Sequence, residues 1–254
     1  MSALAQLRKM PEARKGALAP LRQVGLINGA RTVTKALIRS RLDRNELPRQ
    51  FLLSFWDTLG SREALIFEGQ RITFAQFKDR VLRFADVLHG LGLKTGDRFA
   101  ELLYNSPVWF EAMAAGTLTG IHMPMLNWHL RPHELAQCIN AAQPQALLVD
   151  HEFLDRILPI RDQIPSVQHY IVVGGEPPEG MHSYEALMAR AKPVLPPGKL
   201  DMAPRPYSGG TTGTPKYMNI NRERLASASD EDRRGAKKED LIRMGLMQLT
   251  AFYH

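Results

Sequence analysis

One cysteine, Cys138, is the whole thiol inventory of this 254-residue chain, so no disulfide can form within it, which fits a reducing compartment. No run of about 18 apolar residues occurs, so no segment reads as a membrane-spanning helix. No apolar signal-peptide core lies near Met1 either. Aromatic residues make up only 7% of the chain, and no platform of rings interleaved with cations is present, which argues against nucleic acid as a partner. Acids are scarce at the start, where Glu12 is the only one before Asp43. Residues 1–50 hold eleven Lys/Arg against three acids, a net of +8, so the remaining 204 residues sum to −1. The basicity therefore belongs to a leader, and the overall pI near 9.7 says little about the rest.

What is present is the composition of a soluble globular protein, 44% hydrophobic and 23% charged, long enough to bury a substantial core. The leader, residues 1–50, scatters Leu4, Leu7, Leu18, Leu21, Val24, Ile27, Val33, Leu37 and Ile38 among basic residues, partly at helical spacing. Pro11, Pro20, Gly25 and Gly29 are expected to break it into short pieces. Three readings stay open: a basic amphipathic stretch on an anionic membrane surface (residues 1–45), an Arg-rich targeting presequence, or a helical extension packed on the domain.

Residues 51–206 alternate strand and helix signals. Ala64–Phe67 and Ile72–Phe74 read as a hairpin around Glu68–Arg71. Thr73 and Gln76 have capping-box spacing, and Phe77, Val81, Phe84, Leu88 and Leu91 then recur as one helical face that Gly90 and Gly92 close. A strand follows over 99–104, apolar apart from Glu101. A helix opens at Pro107 and ends at Gly120, and a strand is expected over Ile121–Met125. Pro132 starts another helix, Ala146–Val149 is a strand, Phe153–Ile164 a helix, Tyr170–Val173 a strand, and Ser183 caps a short helix to Ala191. This order predicts an α/β fold with a parallel or mixed sheet flanked by helices. His129, His133 and Glu134 lie one turn apart, but Pro132 leaves His129 outside the helix, and a zinc site needs three or four ligands, so no metal site is expected. Residues 192–206 hold five prolines and form an irregular connector.

That connector leads into Tyr207-Ser208-Gly209-Gly210-Thr211-Thr212-Gly213-Thr214-Pro215-Lys216. Glycines let a ligand approach the backbone, successive amides make a concavity suited to phosphate oxygens, and Ser208, Thr211, Thr212 and Thr214 add hydroxyl donors. Lys216 adds a positive charge. The common nucleotide loop needs Gly, four residues, then Gly-Lys-Ser/Thr, and that pattern fails here. A plain Gly/Thr turn is the other reading of the residues.

The stretch resembles the phosphate-binding signature of the AMP-forming adenylating enzymes, which include acyl-CoA synthetases, adenylation domains and luciferases. Gly209 stands where that family usually has Ser or Thr, and Tyr217 where it usually has Gly. Further likenesses follow in family order. They are Ile72-Thr73-Phe74-Ala75-Gln76-Phe77, then Leu91-Gly92-Leu93-Lys94-Thr95-Gly96-Asp97-Arg98, Asn105-Ser106-Pro107 and Gly120-Ile121-His122-Met123-Pro124. Asn127-Trp128-His129-Leu130 with Glu134 is similar to the fatty-acyl branch, and Ala251-Phe252-Tyr253-His254 to the family's aromatic-His element.

The resemblance, over about residues 50–254, implies the large N-terminal domain of an AMP-forming ligase behind a helical basic leader. It implies ATP, Mg2+ and coenzyme A as cofactors and a carboxylic acid, of the fatty class, as substrate. The phosphates would be held by Ser208, Gly209, Gly210, Thr211, Thr212, Gly213, Thr214 and Lys216. Lys216 and His254 would be catalytic. The family's adenine, magnesium and ribose elements and its mobile lysine come later than His254. The chain is thus expected to be an N-terminal portion that needs a C-terminal part in cis or trans, inactive alone. The alternative is a non-catalytic module with weak phosphate binding. The expected organisation is a leader over 1–50, an α/β domain over 51–206 and the loop with the start of a further subdomain over 207–254. The expected location is cytoplasmic, with peripheral membrane contact through residues 1–45.

Overall fold

The structure is a computed structural model, and it describes residues 25–43 and 46–201. These fall into two compact units between which the chain passes more than once. One gathers the residues up to Gly96 with Phe110–Ile121 and Ala186–Asp201, and the other gathers Asp97–Trp109 and His122–Glu185.

The first unit begins with α1 (Leu26–Ser40) and α2 (Leu47–Leu59). Gly29 does not break α1 as expected; it is buried within it. With Thr32, Ala36 and Ser40 it forms a stripe of small buried residues, and Thr32 Oγ1 lies 2.7 Å from Thr58 Oγ1 on α2. Small side chains let the two helices approach, so packing overrides the local propensity of glycine. The hairpin of β1 (Glu63–Phe67) and β2 (Gln70–Thr73) forms as expected. It leads into α3 (Phe74–Gly90), where Gln76 N donates to Thr73 Oγ1 at 3.3 Å and Thr73 N donates to Gln76 Oε1 at 2.9 Å. Phe77, Val81, Phe84 and Leu88 are all buried, and Trp56 meets Phe77 edge to face at 5.4 Å. Asp57 joins the helices electrostatically. Burial opposes its charge, but hydrogen bonds from Lys78 and Arg39 outweigh that and hold its pKa below the ordinary value.

The second unit is a four-stranded sheet of β3 (Phe99–Leu102), β4 (Ala146–Asp150), β5 (His169–Val173) and β6 (His182–Ser183), in that order. All three pairings are parallel. Between β3 and β4 the chain runs through α4 (Pro107–Thr119), which belongs to the first unit from Phe110 onward, and through α5 (Pro132–Ala142). The central strand β4 is buried from Ala146 to Val149, as a parallel strand covered on both faces must be. Leu135, Ile139, Phe153, Ile157 and Ile164 pack with Leu147 and Val149 in one core.

Three elements differ from expectation. Ile121–Met125 is not a strand: it makes isolated parallel bridges, Arg98 to His122 and Glu101 to Met125, because Pro124 has no N–H to continue a ladder. The helix expected over Phe153–Ile164 is a 3-10 turn, a single α turn α6 (Leu154–Ile157) and a second 3-10 stretch (Leu158–Gln163), with Pro159 at the second break. The two-residue strand β6 was not foreseen, and α7 (Tyr184–Arg190) follows it.

Candidate functional site

Ser208, Gly209, Gly210, Thr211, Thr212, Gly213, Thr214, Lys216 and His254 all lie outside the described residues. What the structure does define is how the chain is held up to Asp201, seven positions before Ser208. The last carbonyls of α4 have no helical partners of their own. Asp201 N donates to Thr117 O at 2.9 Å, Lys199 N to Thr119 O at 3.3 Å, and Arg49 Nε to Leu118 O at 2.8 Å. Arg49 also donates to Pro196 O at 2.5 Å, to Gly198 O at 3.1 Å and to the Glu46 carboxylate at 2.6 Å. One guanidinium, 1% exposed, thus ties α2, the end of α4 and the proline-rich connector together. The connector is irregular, as its composition indicates, yet its backbone is fastened at 196, 198, 199 and 201.

In the second unit the carboxyl ends of β3, β4 and β5 share one edge, the place where open parallel sheets take ligands. Tyr104 follows β3 there, and its ring centroid lies 4.6 Å from Phe153 and 5.2 Å from Trp128. His129 stacks on Trp128 at 3.6 Å. Arg156 sits 5.2 Å over the Phe153 ring and donates to the Trp128 carbonyl. Tyr104 and His129 are exposed and Trp128 is half-buried, so the edge offers aromatic faces beside a guanidinium. Asp150 closes β4 at the same edge, and burial raises its carboxyl pKa against a hydrogen bond from Glu152 N. This cluster is not announced by the sequence. Trp128 stands out only through the fatty-acyl likeness and His129 through that and the rejected metal reading, and Tyr104, Phe153 and Arg156 are remote from them in the chain.

Among the described residues no group of three or more His, Cys, Asp or Glu is placed to hold a metal ion. Cys138 is buried, and burial followed by the nearby Glu134 charge pushes its thiol pKa up, which disfavours the reactive thiolate. No helix among the described residues is long and apolar enough to cross a membrane.

The family model described as "AMP-binding enzyme" matches residues 55–246. The chain belongs to that family. Among curated relatives, the chain is 34% identical over 207 residues to a long-chain-fatty-acid–CoA ligase of Thermus thermophilus, covering 75% of this chain and 38% of that protein. It is 32% identical over 170 residues to an indoleacetate–CoA ligase of Aromatoleum aromaticum, covering 65% and 33%. The chain therefore spans under two fifths of the length of these relatives. Among solved structures, the anthranilate CoA ligase AuaEII in complex with anthranoyl-AMP aligns with a TM-score of 0.59 and 26% identity, over 63% of this chain and 32% of that one. An inhibitor-bound N-terminal domain of FACL13 from Mycobacterium tuberculosis has the same fold, with a TM-score of 0.59 over 70% of this chain and 45% of that one, at 24% identity. The predicted α/β architecture, a parallel sheet flanked by helices, is thus the fold of this chain.

Proposed function

We propose that this chain is the N-terminal part of an ATP-dependent acid–CoA ligase. In this reading a carboxylate attacks the α-phosphate of ATP to give acyl-AMP and pyrophosphate, and the thiol of coenzyme A then displaces AMP. The observation that carries it is the family match across residues 55–246, which runs through the Gly/Thr-rich loop. The amides of Gly209, Gly210 and Gly213 and the hydroxyls of Ser208, Thr211, Thr212 and Thr214 bind the leaving phosphates. Lys216 offsets the charge that builds on pyrophosphate. His254 forms one wall of the carboxylate pocket. Magnesium would be held by the residues of the family pattern that come later than His254, and it would supply charge neutralisation on the phosphates.

The organisation that accompanies this reading is a leader over 1–50, an α/β domain over 51–206 and the loop region from 207. A fatty acid is the favoured substrate, supported by Asn127-Trp128-His129-Leu130 and by the Thermus relative. The indoleacetate and anthranilate ligases make aromatic acids the competing class. Residues 1–254 alone supply the pyrophosphate side and not the full positioning of the reactants, which is worth about 7–11 kcal/mol of such barriers. The chain alone is therefore expected to give no ATP–pyrophosphate exchange with fatty or aromatic acids, and clear exchange would overturn that part of the reading. Calorimetry tests the loop. The wild-type chain is expected to bind pyrophosphate, and Lys216→Ala to weaken it about ten- to a hundredfold, the value of one charge-assisted contact. No binding, or equal binding by the variant, sinks the assignment of the loop.

A further inference from the structure

We infer that the outward face of α1 is a docking surface for an anionic lipid bilayer. Ile27, Ile38 and Leu42 would enter the acyl boundary, and Arg31, Lys35 and Arg41 would meet the headgroup phosphates. The inference does not depend on the ligase chemistry.

The helix is amphipathic the wrong way round for a purely structural element. Its buried stripe is Gly29, Thr32, Ala36 and Ser40, all small. Its large aliphatic residues face solvent instead, Ile27 at 73% and Ile38 at 71% exposure, with Val33 and Leu37 at 36% and 38% on one flank. A helix that served only to pack on α2 would bury those side chains, since burial of apolar area is the main gain from docking. The chain then turns out through Arg41 and Leu42, both at positive φ (50° and 66°), and Leu42 is left 75% exposed.

Charge selects the occupant. Ile27, Arg31, Thr34 and Ile38 recur at 4-3-4 spacing on the outer face, with Lys35 one turn beyond Arg31. α1 contains no acid, and Arg31, Lys35 and Arg41 are exposed. Upstream, residues 1–24 add Arg8, Lys9, Arg14, Lys15 and Arg22 against Glu12 alone. Exposed aliphatics beside a cluster of cations, with Asp43 the one exposed acid where α1 ends, are the chemistry of a surface helix that lies in the headgroup region of an anionic membrane. A second copy of this chain would bring like charges together on the same face.

The test is flotation of the whole chain at low salt with vesicles of equimolar phosphatidylcholine and phosphatidylglycerol, against phosphatidylcholine alone. The wild type is expected in the lipid fraction with the anionic vesicles only. Ile27→Gln/Ile38→Gln and Arg31→Glu/Lys35→Glu are each expected to lower the partition constant about tenfold or more. Both pairs change exposed positions, so the circular dichroism of the wild type is expected to persist. Added salt should release the wild type, a readout that needs no variant. Failure of the wild type to float, equal flotation on neutral vesicles, or a folded double variant that floats as well as the wild type overturns the inference. So does a lipid-free dimer in sedimentation equilibrium that Ile27→Gln/Ile38→Gln dissociates, since the face would then belong to a second copy.

Discussion

The first unit buries Arg49 and Glu111 and the second buries Glu101, and of these Arg49 and Glu101 are handled in opposite ways. Arg49 in the first unit is 1% exposed and meets three main-chain carbonyls and the Glu46 carboxylate. Glu101 in the second is 3% exposed, and its carboxylate accepts from Leu103 N at 3.0 Å and from the Trp109 side chain. A guanidinium presents donors in a rigid fork and keeps its charge, so it can be buried wherever acceptors converge. A carboxylate has the option of taking up a proton. Burial pushes the Glu101 pKa up to about 8 against the two hydrogen bonds, and the group is mostly neutral at pH 7. Arg49 therefore works as a charged clamp on backbone, while Glu101 is a polar plug that a sheet tolerates by discharging it.

The comparison breaks most readily at the clamp. Arg49→Ala leaves Glu46 and the carbonyls of Leu118, Pro196 and Gly198 without their donor, and a loss of about 3–5 kcal/mol in urea unfolding is expected. A loss below 1 kcal/mol would mean that water replaces the guanidinium at no cost. The plug is tested by pH. The folded pKa of Glu101 lies above its unfolded value, so the folded state binds more protons between about 4.5 and about 8. Stability is then highest at the acid end of that window and falls as pH rises through it, at no more than about 1.4 kcal/mol per pH unit. Glu101→Gln is expected to flatten this slope in thermal melts between pH 5 and pH 8, and an unchanged slope would clear Glu101 of it. The smallest effect concerns how closely the backbone must approach for the clamp to work. A Cβ on Gly198 would stand 2.6 Å from Thr119 O, so Gly198→Ala forces the connector off the end of α4. About 1–3 kcal/mol is expected in unfolding, and a neutral result would show that the connector shifts freely.

The elements that were legible in the sequence are those whose causes lie a few residues apart. Thr73 and Gln76 cap α3 through a three-residue loop of bonds, and Phe77, Val81, Phe84 and Leu88 bury along its face because helical spacing alone puts them there. Pro107, Gly120 and Pro132 mark helix ends for the same local reason. The Gly/Thr loop from Ser208 to Lys216 stands out because its donors are contiguous, though it lies outside the described residues. The parallel ladder was foreseen as a class from alternating elements, but β6 was not, since two residues carry no period and their pairing with Ile171 and Val172 is a tertiary event.

Other features were decided only by the fold. Arg49 counts in the sequence as one more cation of the basic leader; only the meeting of 118, 196 and 198 around it makes it a buried clamp. Gly29 reads as a breaker until α2 lies against it. Tyr104, Trp128, Phe153 and Arg156 become one edge because β3 and β4 run side by side in register. Local order follows from short-range bonds and spacing, which a sequence displays directly. The placement of a charge or a ring depends on which distant segments supply its neighbours, and that is set by packing of the whole unit.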